Sequence, residues 1–344
     1  MGHFYMDETT IIPLLSSAIR ARSNLFDSRH ERAFRLFNGF FEGCPSLVID
    51  LYARTILLHN YADPPDLLES LLKTVEQYLT SELPWVNTII LKTRNTEDLN
   101  ARKGVVIKGA KLDNRIREHG VWYAIDLLLN RDASFYLDTY NLRSWIINNL
   151  AEKTVLNTFA YTGSLGVAAQ AGRAQRVVHL DINRSFLNVA KTSYTLNGFP
   201  INKADFQSGD FWTQISHFKK TGETFDAVIV DPPFFAVSNK GKIDLVEESH
   251  RIINKVRPLI NNDGYLIAIN NALFVSGADY FKSLEALCAD GYLTIEKLIP
   301  ISSDFTGYEQ TQVKLHIVDP APFNHSTKIA VLRVRRKPTS SFLS

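Results

Sequence analysis

Residues Val155–Gly166 read V-L-N-T-F-A-Y-T-G-S-L-G, Val177–Asn183 read V-V-H-L-D-I-N, and Phe225–Phe235 read F-D-A-V-I-V-D-P-P-F-F. Each is a short aliphatic, β-branched run that ends in a polar or glycine-bearing turn, the pattern of a buried strand. The gap between the first two leaves room for one helix. Strand, turn and helix in alternation imply a mainly parallel sheet with helices on both faces. Ligands of such sheets lie at the carboxyl ends of the strands. A carboxylate closes each later run: Asp181, then Asp210 of Q-S-G-D, then Asp231.

The same alternation extends on both sides of this block. It predicts strands over 153–159, 176–182, 204–209, 225–230, 264–270, 294–301 and 328–335. Helices are predicted over 138–150, 164–173, 185–197, 244–260 and 277–290. Residues 303–327 show no helical pattern, so the last two strands are expected to pair antiparallel. Upstream the pattern changes. Ser46–Leu51 and Thr55–Tyr61 read as a hairpin, and Pro64–Leu79 as a helix, with Leu67, Leu68, Leu71, Leu72, Val75 and Tyr78 at helical periodicity. Strands are expected at 86–92 and 105–108. The expected organisation is a small α+β domain over 1–125 and an α/β domain with a seven-stranded, mainly parallel, Rossmann-like sheet over 126–344.

A chain of 344 residues suits two domains on the usual scale of roughly 150 residues each. No stretch approaches the ~20 apolar residues of a membrane span, and Met1–Thr10, with Asp7 and Glu8, lacks the apolar core of a signal peptide. Cys44 and Cys288 are the only cysteines. That argues against a disulfide framework and for a reducing, cytoplasmic setting. The nine histidines show no metal-ligand spacing, so no metal site is expected. A formal net charge of +2 announces no extended grip on nucleic acid; any such footprint is local. Arg333 and Arg335 alternate with Leu332 and Val334, which reads as the solvated face of an edge strand.

At the Asn157–Gly163 turn a glycine lets the backbone approach a ligand, and a helix opening at Ser164 offers free N–H groups. Asp181 at a strand end can accept both ribose hydroxyls of an adenosine, in a methyltransferase or in a nicotinamide dehydrogenase alike. Asp210 suits the adenine edge. The D-P-P-F-F cluster separates those two classes. Two prolines stop the strand and direct the Pro232 carbonyl, which with Asp231 can accept hydrogen bonds from a base, while an adjacent ring stacks on it. A dehydrogenase has no use for that device there, so the reading is an S-adenosylmethionine-dependent methyltransferase acting on a base.

The block F-x-Y-T-G, the strand-end Asp and D-P-P-x-F resemble the bacterial 23S ribosomal RNA methyltransferases of the class I fold. Phe135-Tyr136-Leu137-Asp138 with Arg143 resembles their F-L-D-x-R-x-x-R segment, with Tyr140 in place of its first Arg. Arg35-Leu36, Asn38-Gly39, Gly43, Pro45, Leu47-Val48 and Asp50 resemble their small central domain. The members that make 5-methylcytosine begin with a PUA domain, for which this N-terminus is too short, and carry a cysteine nucleophile after the fifth strand. Here that segment, Ile267–Phe274, holds none. Asn270-Asn271 and the D-F-x4-Q of Asp304, Phe305 and Gln310 instead resemble the 7-methylguanosine half of the bifunctional 23S rRNA methyltransferase.

That resemblance implies S-adenosylmethionine held by Asn157, Phe159, Tyr161, Gly163, Asp181, Ile182, Asp210 and Asp231. It implies catalysis by Asp231, Pro232 and Asn270, and substrate contacts from Phe235, Asn271, Asp304, Phe305 and Arg143. The partner implied is RNA, as 23S rRNA or a ribosomal assembly intermediate, with the 1–125 domain as a module that binds or positions it. Guanine N7 is the favoured atom. Exocyclic amines (guanine N2, adenine N6), cytosine C5, a dehydrogenase and a catalytically idle RNA-binding factor are the alternatives.

Overall fold

The computed structural model describes residues 8–233, 235–238, 241–244, 249–314 and 317–336, with 235–238 and 241–244 described by their backbone alone. The chain divides into two compact units, Met1–Asp138 with Ser302–Leu315, and Thr139–Ile301 with His316–Ser344. No helix among the described residues is long and apolar enough to cross a membrane.

The first unit begins with α1 (Glu8–Ala21), β1 (Ala33–Asn38), α2 (Gly39–Glu42), β2 (Leu47–Tyr52), β3 (Thr55–Asn60), α3 (Glu69–Glu82) and β4 (Thr88–Thr93). It continues with α4 (Leu99–Lys103), β5 (Val105–Lys108) and the separate hairpin of β6 (Arg115–Glu118) and β7 (Val121–Ala124). Strands β1 to β5 form a sheet in sequence order. The expected hairpin is β2–β3. Strand β4 lies parallel to β3, a geometry that needs a crossover, which α3 supplies. Alternate residues of the strands (Phe34, Leu36, Leu47, Ile49, Leu51, Ile56, Leu58) pack against Ile11 and Leu15 of α1 and Leu71, Leu72, Val75 and Leu79 of α3. That apolar face is the source of the helical stripe seen in the sequence.

The other face of this sheet carries a buried polar cluster. Asp50 accepts from Arg35 Nε at 2.8 Å and meets His59 Nε2 at 3.0 Å. Arg94 Nη2 reaches His59 Nδ1 at 2.9 Å. A guanidinium only donates, so Nδ1 accepts and Nε2 carries the proton given to Asp50. Burial brings His59 down to about 4, and although burial opposes it, Arg35 and His59 hold the Asp50 carboxyl well below the usual range. Beneath β1, the buried Arg22 guanidinium forks onto Glu42 at 2.8 and 2.9 Å.

Segment 302–315 closes onto this cluster. Asp304 Oδ2 accepts the Arg35 N–H at 2.9 Å and its carbonyl accepts from Arg22 at 3.0 Å. The Phe305 ring lies 3.7 Å from the Arg35 guanidinium, its carbonyl accepts from Asn38 Nδ2 at 2.6 Å, and Thr311 Oγ1 donates to Glu42 at 2.6 Å. The unit also runs past the expected boundary at 125. The Lys92 ammonium donates to the carbonyls of Asn130 and Asp132, and Tyr52 Oη donates to that of Phe135.

The second unit contains α5 (Tyr140–Asn149), β8 (Thr154–Thr158), α6 (Ser164–Ala171), β9 (Arg176–Asp181), α7 (Arg184–Asn197), β10 (Phe206–Ser208), α8 (Phe211–Thr221) and β11 (Phe225–Val230). It goes on to the backbone hairpin of β12 (Phe235–Ser238) and β13 (Gly241–Asp244), then α9 (Ser249–Val256), β14 (Ile260–Asn270), α10 (Gly277–Cys288), β15 (Leu293–Ile299) and β16 (Lys328–Val334). The seven-stranded order is β10-β9-β8-β11-β14-β16-β15, with β10 to β14 parallel and β16 antiparallel to both neighbours. This is the mainly parallel, Rossmann-like sheet that the alternation predicts. The antiparallel last pair is as expected. Two details differ. Strand β16 lies inside the sheet, where Arg333 pairs with Glu296 on β15 and Tyr265 on β14. Helix α8, not predicted, connects β10 to β11. Phe211, Ile215 and Phe218 on its inner face join the core with Val178, Val228, Leu266 and Leu332.

Candidate active site

Chain direction along the sheet reverses between β8 and β11. From β8 the strands proceed outward to β9 and β10, and then the chain returns to the other side of β8. Ligands of open parallel sheets bind beyond the strand ends at this switch point. The register sets Thr158 beside Val230, so the loop after β8 and Asp231-Pro232 leave the sheet side by side.

The loop after β8 is locally strained. Phe159, Tyr161 and Gly163 all have left-handed backbones, with φ of 52°, 50° and 78°. For aromatic residues this costs about 1–2 kcal/mol each. Neighbouring bonds hold it: Ala160 N–H donates to Leu180 O at 2.9 Å, Gly163 N–H to Ala160 O at 2.7 Å, and Tyr161 N–H to Asp181 Oδ2 at 2.8 Å. The Phe159 and Tyr161 rings pack onto Phe211 and Phe186, so these residues offer a ligand mainly backbone. The glycines answer to packing as well. A Cβ on Gly163 would stand 2.5 Å from that of Ala190, and one on Gly166 2.3 Å from Cε1 of the buried His179. Burial drives His179 down to about 3, so it is a neutral spacer between α6 and β9.

At the tip of β9, Asp181 Oδ2 takes the Tyr161 N–H and Oδ1 the Asn183 N–H, each at 2.8 Å. Burial nevertheless pushes its carboxyl above the ordinary value. Each carboxylate oxygen keeps a second lone pair. Ile182, the next residue, is 73% exposed, an apolar side chain left uncovered beside an acceptor. Asp210 Oδ1 caps α8 by accepting the N–H and hydroxyl of Thr213, both at 3.0 Å. Asn157, buried in the end of β8, has an amide nitrogen with no hydrogen-bond partner among the described residues. Such a donor is costly unless something outside the chain satisfies it.

On the other side of the switch point, Asp231 is half-buried, Pro232 buried and Pro233 exposed. Phe234 lies outside the described residues, and Phe235 opens β12, with its side chain likewise outside them. At the tip of β14 the two asparagines differ. Asn270 is 1% exposed, and its Oδ1 accepts the Ala272 N–H at 2.9 Å, while Asn271 is exposed. The sequence reading missed a supporting residue here. Lys328, buried at the start of β16 and paired with Asn270, donates to the Ala272 carbonyl at 3.0 Å. Burial pulls it down to about 8. A lysine opening an apolar strand is its only mark in the sequence. Phe274, 71% exposed just beyond, was also missed.

Other candidates stand elsewhere. Arg143 is fully buried in α5 and donates to Thr139 Oγ1 at 2.6 Å, so it has no surface for a substrate to meet. Asp304 and Phe305 belong to the first unit, where Arg22, Arg35 and Asn38 engage them. Neither cysteine lies on the segments that directly follow β8, β9, β11 and β14. Cys44 is in the first unit's core, its thiol pushed up by burial to about 11. Cys288 ends α10, which runs back toward the start of β15, at the opposite sheet edge from the strand tips. The described residues hold no cluster of His, Cys, Asp or Glu suited to a metal ion.

An acceptor at the β9 tip with an exposed apolar neighbour, a second acceptor capping α8, and an unsatisfied amide at the switch point fit an adenosine bearing an amino-acid chain. The profile of the S-adenosylmethionine-dependent methyltransferase family matches residues 35–305, and the chain belongs to that family. It is 29% identical over 283 residues to YwbD of Bacillus subtilis (strain 168), by its name a ribosomal RNA large subunit methyltransferase, covering 78% of this chain and 68% of that one. It is 27% identical over 255 residues to ribosomal RNA large subunit methyltransferase I of Erwinia tasmaniensis, covering 74% and 64%. The match thus spans about two thirds of these relatives' length. SMU.776, a methyltransferase solved in complex with SAH, superposes with a TM-score of 0.82 at 23% identity over 96% of this chain and 82% of that one, a likeness of fold.

Proposed function

We propose that the chain transfers a methyl group from S-adenosylmethionine to a base of large-subunit ribosomal RNA, with guanine N7 as the acceptor. The names carried by the relatives support the RNA. One observation supports the chemistry: amides and a carboxylate, with no thiol among the described residues, occupy the strand ends where the base would lie. Asp181 would accept the ribose hydroxyls, Ile182 and Asp210 would face the adenine, and Asn157 and the Phe159–Gly163 backbone would hold the methionine end. Bound there, the cofactor supplies an electrophilic methyl on sulfonium.

N7 of guanine presents an in-plane lone pair, so the chain need remove no proton and form no covalent bond. Orientation carries the rate. Asp231 and the Pro232 carbonyl would hold the base edge, Phe235 its face, and Asn271 its far side. Asn270 would act by fixing the turn that carries Asn271. Arg143, Asp304 and Phe305 are left as supports of their own units. The Asp231-Pro232 acceptor pair also suits an exocyclic amine, guanine N2 or adenine N6, whose hydrogens it could accept.

The products separate these readings. N7 methylation leaves a cationic imidazole, and borohydride followed by aniline cleaves the RNA at that nucleotide. Nucleoside mass spectrometry that finds only a methylated amine, or only 5-methylcytidine, overturns the N7 assignment. Absence of any methylated nucleoside overturns the RNA reading.

A further inference from the structure

The β6–β7 hairpin has two unlike faces. Its register sets Ile116 opposite Tyr123 and Glu118 opposite Val121, and these four are buried. The alternate positions carry Arg115, Arg117 and Trp122, which point the other way and keep their surface, Arg115 exposed and the other two half-buried. Arg117 and Trp122 are direct cross-strand partners, and Arg115 is the diagonal neighbour. Both guanidiniums lie over the indole, at 4.6 and 5.5 Å from its centroid.

Among the described residues, Glu31 is the carboxylate within ion-pair reach of these two arginines. Asp27 accepts the backbone N–H groups of Arg29, Glu31 and Arg32. Asp113 accepts the Arg54 N–H and the Thr55 hydroxyl. Glu31 reaches Arg117 only at 3.8 Å, and that arginine side chain stays 40% exposed. Core packing accounts for the inner face, while the outer face presents a half-buried tryptophan between two arginines that keep part of their surface.

We propose that this face of the hairpin is an RNA contact: Arg115 and Arg117 take backbone phosphates, and an unstacked base lies on the Trp122 layer. Guanidiniums match phosphate geometry, and an indole stacks any base without reading its identity. The contact rests on the RNA reading above and would bind single-stranded segments with little sequence preference.

Fluorescence anisotropy of the full chain on a labelled single-stranded transcript of large-subunit ribosomal RNA, repeated across salt concentrations, tests it. The double variant Arg115→Gln, Arg117→Gln should bind about 10-fold more weakly at low salt, and its log–log salt slope should fall by about 0.7 per lost phosphate contact. Trp122→Ala should lose about 10-fold in affinity with a slope near that of the parent. Affinity for S-adenosylhomocysteine should be the same in all three proteins, which separates an RNA contact from a folding defect. A double variant that matches the parent in affinity and slope, while the parent binds and methylates RNA, overturns the hairpin contact alone. A parent that neither binds nor methylates RNA overturns the functional reading and this contact with it.

Discussion

The polar cluster behind β1 to β3 and the polar strand tips of the second sheet use the same residue types to different ends. In the first, each charge meets its counter-charge, Arg22 with Glu42 and Arg35 with Asp50, and His59 joins Asp50. Segment 302–314 adds further bonds, with Asn38 Oδ1 and Arg94 Nε left without partners among the described residues. In the second, strained backbone, an unpartnered Asn157 amide and an exposed Ile182 remain. A network whose charges are matched holds the fold. An incomplete one, with strain around it, is where a ligand fits.

The largest effect should come from breaking the closed cluster. Arg22→Ala leaves the Glu42 carboxylate buried without its partner, which should cost about 3–5 kcal/mol in urea denaturation. Replacing the pair together, Arg22→Met with Glu42→Leu, should cost distinctly less, because the penalty lies in the orphaned charge. Equal losses would mean that the network contributes through packing alone.

At the open site the effect should fall on binding instead. Asp181→Ala removes acceptors for two ribose hydroxyls, each bond worth about 1.5–3 kcal/mol to a charged acceptor. Calorimetry should show S-adenosylhomocysteine affinity falling at least 100-fold. It should also show a melting temperature shifted by only a few degrees, since the carboxylate also braces the Tyr161 loop. Unchanged affinity would leave Asp181 as a brace only.

A smaller effect tests the buried spacer between the two regions' extremes. His179 is lowered from 6.5 to about 3 by burial, so as pH falls below 6.5 the unfolded chain takes a proton that the folded chain refuses. Stability contributed by the neutral ring is therefore complete above 6.5 and lost as pH falls toward 3. The slope is about 1.4 kcal/mol per pH unit for one such group. His59, lowered to about 4, adds a second loss of the same sign. Denaturation of His179→Phe between pH 6.5 and 4.5 should show about one proton less of slope. The smallest effect should be none at all: Cys44→Ser with Cys288→Ser should methylate RNA at the parental rate. Loss of turnover with folding and cofactor binding retained would restore a covalent mechanism.

Much of this was legible along the chain. Apolar runs closed by Asp181, Asp210 and Asp231 placed the strand ends, because a residue at a strand terminus is positioned by its own strand. The sheet, the antiparallel last pair and the β2–β3 hairpin follow from the same local patterns. Helix α8 escaped because its apolar positions are mostly aromatic and are interspersed with Thr213, Ser216 and Thr221, a weak helical signal. Asp304 and Phe305 resembled a substrate-binding pair, but their partners, Arg22, Arg35 and Asn38, are more than 260 residues away.

The sequence by itself therefore determined which elements form and which acidic and glycine-bearing turns end them, since periodicity and turn chemistry act between near neighbours. Tertiary structure alone decided which polar groups are spent and which stay available. Arg143, Asn270 and Asp304 look as reactive in the sequence as Asp181 and Asn271. Arg143 and Asn270 bond near neighbours, Thr139 and Ala272, and Asp304 bonds the distant Arg35, but it is packing between distant segments that buries all three and leaves Asn271 and Ile182 facing outward. A side chain's burial depends on chain that is far away in sequence, even where its hydrogen-bond partner is a near neighbour.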